Sequence, residues 1–186
     1  MTGSVRSGVR WRATDARTVA DNSRSENTVK VEGERSVDIA ADAEAVWDII
    51  ADVTRTNQLS PLTTRADWIP PATGAAVGAR FTGKNRLPVI RKWTSTSTVT
   101  VCDRGKCFAF VVGTDPADPT TRWTYTLERT LEGGTKVTET WRMVREYRIV
   151  LAYFRLVRQD LRIARGVEVT LSRLKSVAEG SSKRNQ

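Results

Sequence analysis

From Arg65 onward apolar and polar residues alternate with a period of two, and beyond Arg145 the period lengthens to that of a helix. The alternation predicts strands over 65–69, 79–86, 92–103, 106–113, 122–131 and 135–144. Turn residues punctuate them: Gly74 and Gly78, Arg104-Gly105, Asp115-Pro116 with Asp118-Pro119, and Gly133-Gly134. Upstream, Val37 and Ile39 alternate with polar residues and predict a first strand over 31–39. Asp42 is then placed to cap a helix over 43–51, and Pro61 stops a second short helix over 54–59. The order strand, two helices, six strands, long helix predicts an α+β architecture, a meandering antiparallel sheet with the last helix laid across it.

The two periods also say which residues face each other. Alternation collects Phe81, Gly83, Asn85, Trp93, Ser95, Ser97, Val99, Val101, Phe108, Phe110, Val112, Trp123, Tyr125, Leu127, Val137, Glu139, Trp141 and Met143 on one side of the sheet. The other side is mostly Thr, Arg, Lys and Cys, so the sheet is expected to be wet on that side. On the predicted helix over 145–178, Tyr153, Val157, Leu161, Ala164, Val167, Leu171 and Leu174 form the apolar arc, and Arg155, Arg158, Arg162, Arg165 and Arg173 form another. Asp160 falls within the apolar arc, and Glu139 within the apolar sheet face. A carboxylate so placed needs a partner, water or a ligand, and burial raises its pKa.

Composition narrows the chemistry. With no histidine and two cysteines the chain cannot assemble a histidine-dependent triad or the usual zinc ligand sets, so no metal and no cofactor are expected. The net charge of +9 would suit a phosphate-rich partner, but the arginines are scattered and no nucleic-acid motif accompanies them, so nucleic acid is not an expected partner. The arginine arc reads as a solvated helix face, with transient contact with an anionic membrane as the alternative. Residues 149–154 are too short an apolar run to span a bilayer, and the N-terminus lacks a secretory apolar segment; a cytoplasmic protein is expected. Residues 1–30 and 180–186, polar and without sustained period, are expected to be disordered around one domain. Cys102 and Cys107 flank the turn at Arg104-Gly105: a two-residue loop would oppose them closely enough for a disulfide, whereas a reducing compartment leaves two thiols.

Several segments together resemble the polyketide cyclase/dehydratase and lipid-transport family of the START-like, or helix-grip, superfamily over about 31–179. They are Glu34-Arg35-Ser36-Val37 leading into Ala45-Val46-Trp47, then Leu59-Ser60-Pro61, then Val77 through Arg86, Trp93, Thr120 through Tyr125, and Gly134 through Glu139. Family members often carry an aromatic just before the Ser-Pro pair, where this chain has Gln58-Leu59. The resemblance implies a curved sheet of about seven strands gripping the C-terminal helix around an apolar cavity for a lipid, polyketide or sterol. It implies no universal catalytic motif.

Under that resemblance Phe81, Asn85, Trp93, Phe108, Phe110, Trp123, Tyr125, Glu139, Trp141 and Asp160 would line the ligand site. Packing as ordinary core is the alternative for the rings. Glu139 and Asp160 would be acid and base on a polyketide or enol, or anchors for a ligand hydroxyl, with Asn85 and Tyr125 adding hydrogen bonds. Pairing with an arginine such as Arg142 or Arg86 is the structural alternative for either acid. The expected function is binding or carriage of a hydrophobic small molecule without assigned chemistry. Cyclase, aromatase or dehydratase activity through those acids is the alternative.

Overall fold

A computed structural model describes residues 32–86, 92–144 and 159–182. In chain order they form β1 (Glu32–Ile39), α1 (Ala43–Ala51), a 3-10 turn (Val53–Arg55), α2 (Thr56–Leu59), β2 (Thr63–Trp68), β3 (Arg80–Arg86), β4 (Lys92–Asp103), β5 (Cys107–Val112), β6 (Thr121–Arg129), β7 (Thr135–Met143) and a C-terminal helix, α3 (Gln159–Ser182). The strands make one antiparallel sheet of seven in the order β1-β7-β6-β5-β4-β3-β2. This is the α+β meander that the sequence pattern predicts and the helix-grip architecture that the resemblance implies. Helix α3 runs on to Ser182, past the expected end at Ala178; the expected turns over 145–158, with Tyr153, Val157, Arg155 and Arg158, lie outside the described residues.

Only one face of the sheet meets the core. Val37, Ile39, Phe81, Val99, Phe108, Leu127, Val137 and Trp141 project into a single buried cluster with α1 residues Val46, Trp47, Ile49 and Ile50. Helix α3 adds Ala164, Val167, Leu171, Leu174 and Ala178 at helical spacing, while Arg162, Arg165 and Arg173 stay exposed, as the amphipathic pattern requires. The helix packs chiefly on β1 and on the two short helices. Its end is pinned there: Lys175 Nζ donates to the Asp38 carbonyl (2.6 Å) and pairs with Glu179 (2.7 Å), whose Oε1 accepts the Ala40 N–H (2.9 Å). Arg173 donates to the Leu59 and Ser60 carbonyls at the end of α2 (both 3.4 Å), so this arginine of the exposed arc also has a structural tie.

The register corrects the expected inner face at one place. In β4 the pairing with β5 slips between Val99 and Val101, so that Cys102 rather than Val101 comes opposite Phe108. Val101 is therefore turned outward and 39% exposed, and Cys102 packs against the core. The turn after β4 holds three residues, not two: Lys106 N–H donates to the Asp103 carbonyl (3.0 Å), and Gly105 takes φ +73, a left-handed conformation that suits glycine. Cys107 consequently pairs with Asp103, one position away from Cys102, and both cysteines are free thiols. Arg104 ties this turn to α1, bonding Asp48 (2.8 Å) and Glu44 (3.3 Å) and lying 5.7 Å from the Trp47 ring centroid.

Gly33 in β1 makes room for the indole of Trp141 on the neighbouring strand: a methyl added there would stand 2.5 Å from Trp141 Cζ2. Gly33→Ala is expected to push the indole off its place and to destabilise the fold by about 1–3 kcal/mol, measured as a lowered urea midpoint with an unchanged slope.

Candidate functional site

The pairing of β6 with β7 assembles the centre of the inner face. Tyr125 stands opposite Glu139, Trp123 opposite Trp141 and Leu127 opposite Val137. On the other flank of β7, β1 brings Arg35 opposite Glu139. Tyr125 Oη donates to Glu139 Oε1 at 2.7 Å. The glutamate is only 3% exposed, and among the described residues its Oε2 has no hydrogen-bond partner.

These contacts decide the protonation of Glu139. Burial penalises the ionised carboxylate and raises its pKa to about 8, an effect only partly offset by the Tyr125 hydrogen bond, which favours the ionised form. At neutral pH the group is chiefly a carboxylic acid. Because Oε1 accepts from Tyr125, the proton belongs on Oε2, the oxygen left without a partner. Tyr125 is itself raised well above the usual phenol range, first by burial and then by Glu139, so it remains a neutral donor.

Among the described residues no arginine neutralises this acid. Arg142, one expected partner, pairs with Glu32 (3.3 Å) instead. Arg35 stands on the same inner face, yet its Nε donates to Glu168 of α3 at 2.9 Å, its Nη1 donates to the Glu34 carbonyl, and its guanidinium lies 6.0 Å from the Trp141 ring centroid. The Arg35–Glu168 pair is partly exposed, so it contributes modestly to stability, but it commits the Arg35 charge to α3.

Aromatic rings surround the acid and extend the face. Edge contacts link Trp68 to Phe81 (5.7 Å), Phe81 to Phe110 (5.3 Å) and Phe108 to Trp47 (6.4 Å), with a tilted Phe108–Phe110 contact at 6.1 Å. Trp123 and Trp141 form a second pair at 6.4 Å. Phe81, Phe108 and Trp141 are buried, whereas Trp68, Phe110, Trp123 and Tyr125 pack against the core yet stay partly exposed. The structure thus brings Phe81, Phe108, Phe110, Trp123, Tyr125, Glu139 and Trp141 onto one face.

The other expected site residues are placed differently. Asn85 is held in a polar cluster, accepting from Thr63 Oγ1 (2.9 Å) and donating to Ser95 Oγ (3.0 Å) and the Gly83 carbonyl (3.1 Å), so its amide is already engaged. Trp93, opposite Asn85, is 40% exposed and stands outside the core cluster. Asp160 lies in the first turn of α3, in helical phase with Ala164, Val167 and Leu171; its side chain is outside the described residues. Sequence reading passed over Arg35, although Arg35, Val37 and Ile39 share one alternation, and over Trp68 of β2; nothing in the sequence signals the pairing with Glu168. The β2–β3 loop, lined by Ile69–Ala76 and Gly78–Arg80, encloses an open pocket of about 720 Å³ that includes none of the expected residues.

The family model described as polyketide cyclase / dehydrase and lipid transport matches residues 30–179. No curated protein matches the chain. Among solved structures, the chain is 29% identical to a polyketide-cyclase-like protein of Corynebacterium glutamicum, with a TM-score of 0.59 over 84% of this chain and 96% of that one. The Zhui aromatase/cyclase of Streptomyces sp. R1128 is 18% identical, with a TM-score of 0.61 over 81% and 94%, and a Staphylococcus aureus protein of unknown function is 12% identical, with a TM-score of 0.64 over 84% and 98%. These last two likenesses show a common fold.

Neutral Glu139 carries a stability signature. Its pKa is raised on folding, so the folded state holds the proton where the unfolded chain has released it, and stability falls as pH rises from about 4.5 to about 8. The full effect is on the order of 5 kcal/mol. Glu139→Gln, which cannot titrate, is expected to flatten that part of the pH–stability curve, measured by urea unfolding at pH 5, 6.5 and 8.

Proposed function

The chain belongs to the polyketide cyclase / dehydrase and lipid transport family, and on that premise we propose that it binds or carries a hydrophobic small molecule, lipid or polyketide-like, against the aromatic inner face of its sheet. One observation carries this reading: Trp68, Phe110, Trp123 and Tyr125 pack on the core yet are only partly buried, while α3 packs chiefly on β1 and the short helices. Apolar rings with a few placed polar groups are what a site for a hydrophobic ligand requires. Phe81, Phe108 and Trp141 form its floor. The described residues contain no helix long and apolar enough to cross a membrane and no cluster that could hold a metal ion. The two free thiols favour a reducing compartment such as the cytoplasm.

A second reading, cyclisation or dehydration of a polyketide, is favoured by the protonated Glu139 beside Tyr125, with Asp160 as the complementary base. An acid that holds its proton near neutral pH can protonate a leaving hydroxyl or an enolate. In that case Glu139→Gln or Asp160→Asn abolishes turnover with ligand still bound; in the binding reading neither variant changes the fate of the ligand.

Native mass spectrometry of the purified protein, followed by solvent extraction, tests the first reading. The expected result is a bound apolar molecule at one per chain, whose retention falls roughly tenfold or more in Trp123→Ala. An apo mass after expression and after incubation with a lipid and polyketide panel would count against it.

A further inference from the structure

Glu139 Oε2 is a buried polar atom without a partner, on a face otherwise built from rings. Such an atom is costly: a buried donor without an acceptor loses its hydration and gets nothing back, typically 1–3 kcal/mol. Neighbouring groups that could have satisfied it are turned elsewhere. Tyr125 of β6 spends its hydroxyl on Oε1, and Arg35 of β1 is held by Glu168 of α3. On β7 itself the same-face neighbours are Val137 and Trp141, which are buried and leave no charge beside the acid. Tyr125, Arg35 and Glu168 are the titratable or charged groups that face this region from the elements described.

We propose that Glu139 Oε2 is the polar subsite of the ligand site and that it donates its hydrogen bond to an uncharged carbonyl oxygen of a ring-bearing ligand, selecting against ligands that present a carboxylate or phosphate there. The inference rests on the binding reading above and adds the chemistry of the ligand head group. A donor is what the site offers, since Oε1 is occupied by Tyr125 and the remaining oxygen carries the proton. Among the described residues no cation is free to meet an anionic head group on this face, because Arg35 is committed to Glu168. The flanking rings Trp123 and Trp141 would stack on a planar ligand while its oxygen meets Oε2. Since Oε2 is sealed from solvent, the ligand reaches it by displacing part of the surrounding ring packing, on the side where Trp123 is only partly buried.

A matched set of naphthalenes tests this on the full chain by equilibrium dialysis at pH 6.5 and pH 9.5: 2-acetylnaphthalene as the ketone, 2-ethylnaphthalene as its apolar counterpart and 2-naphthoate as the anion. The ketone is expected to bind roughly fivefold to tenfold more tightly than the hydrocarbon at pH 6.5 and to lose that advantage at pH 9.5, where Glu139 is ionised and has no proton to donate. Glu139→Leu should bind ketone and hydrocarbon alike at both pH values; Glu139→Gln, whose amide still donates, should keep an advantage that no longer varies with pH. Equal binding of ketone and hydrocarbon by the wild-type chain at both pH values would overturn the subsite while leaving the hydrophobic site standing, and this comparison needs no variant to fold. Tightest binding of 2-naphthoate would overturn it in favour of Arg35 as an anion anchor. Failure of all three probes to bind would overturn both the subsite and the binding reading for aromatic ligands.

Discussion

Strand β1 pairs with β7, the first strand with the last, and the site depends on that pairing. Val37 faces Val137 and Arg35 faces Glu139 across it, so the register sets the acid of β7 beside a strand drawn from the opposite end of the domain. The same pairing positions β1 as the platform for α3, through Lys175 on the Asp38 carbonyl and Arg35 on Glu168. A one-residue slip would send Val37, Ile39 and Arg35 to the outer face together, because strand side chains alternate with a period of two. Gly33 shows how closely the two strands are fitted, its hydrogen leaving the space that the Trp141 indole fills.

Within that frame the inner face divides the work of apolar residues. Toward β1 and the helices, Val37, Ile39, Val137, Leu171 and Leu174 close into a dry core. Toward β3–β6 the side chains are larger and flatter, and several remain partly uncovered. Glu139 stands between the two regions, buried enough to keep its proton and adjacent to the aromatic side. A lone carboxyl in such a place is a poor choice for stability alone, since an apolar residue of the same volume would carry no desolvation cost. That cost is the physical reason to connect Glu139 with a ligand.

Much of this was legible beforehand because both periodicities are strong. Thr94 to Val99 alternate in sequence, and Ala164, Val167, Leu171 and Leu174 repeat at helical spacing; the structure keeps the helical pattern, whereas in β4 Ser97, Thr98 and Val99 are buried in succession. Glu139 stood out as the charged member of an apolar set, and burial confirmed its unusual setting. Val101 and Cys102 were misassigned because a bulge moves one residue out of step while leaving composition unchanged. Parity alone groups Trp93 with the core, yet it lies at the start of β4, where the core cluster does not reach. Asn85 had the right parity too, but its amide is absorbed by Thr63 and Ser95, partners supplied by two different strands.

By itself the sequence determined the element order, the apolar inner face of the sheet, the amphipathic C-terminal helix and the presence of an acid among apolar residues, since each follows from spacing along a single segment; the face expected to be wet is buried at Thr98, Ala109 and Val111. Only the tertiary structure decided which groups meet that acid: Tyr125 on one oxygen, nothing on the other, and Arg35 drawn away by a glutamate on α3. Hydrogen bonding and desolvation depend on distances between segments far apart in the chain, and no local pattern carries that information.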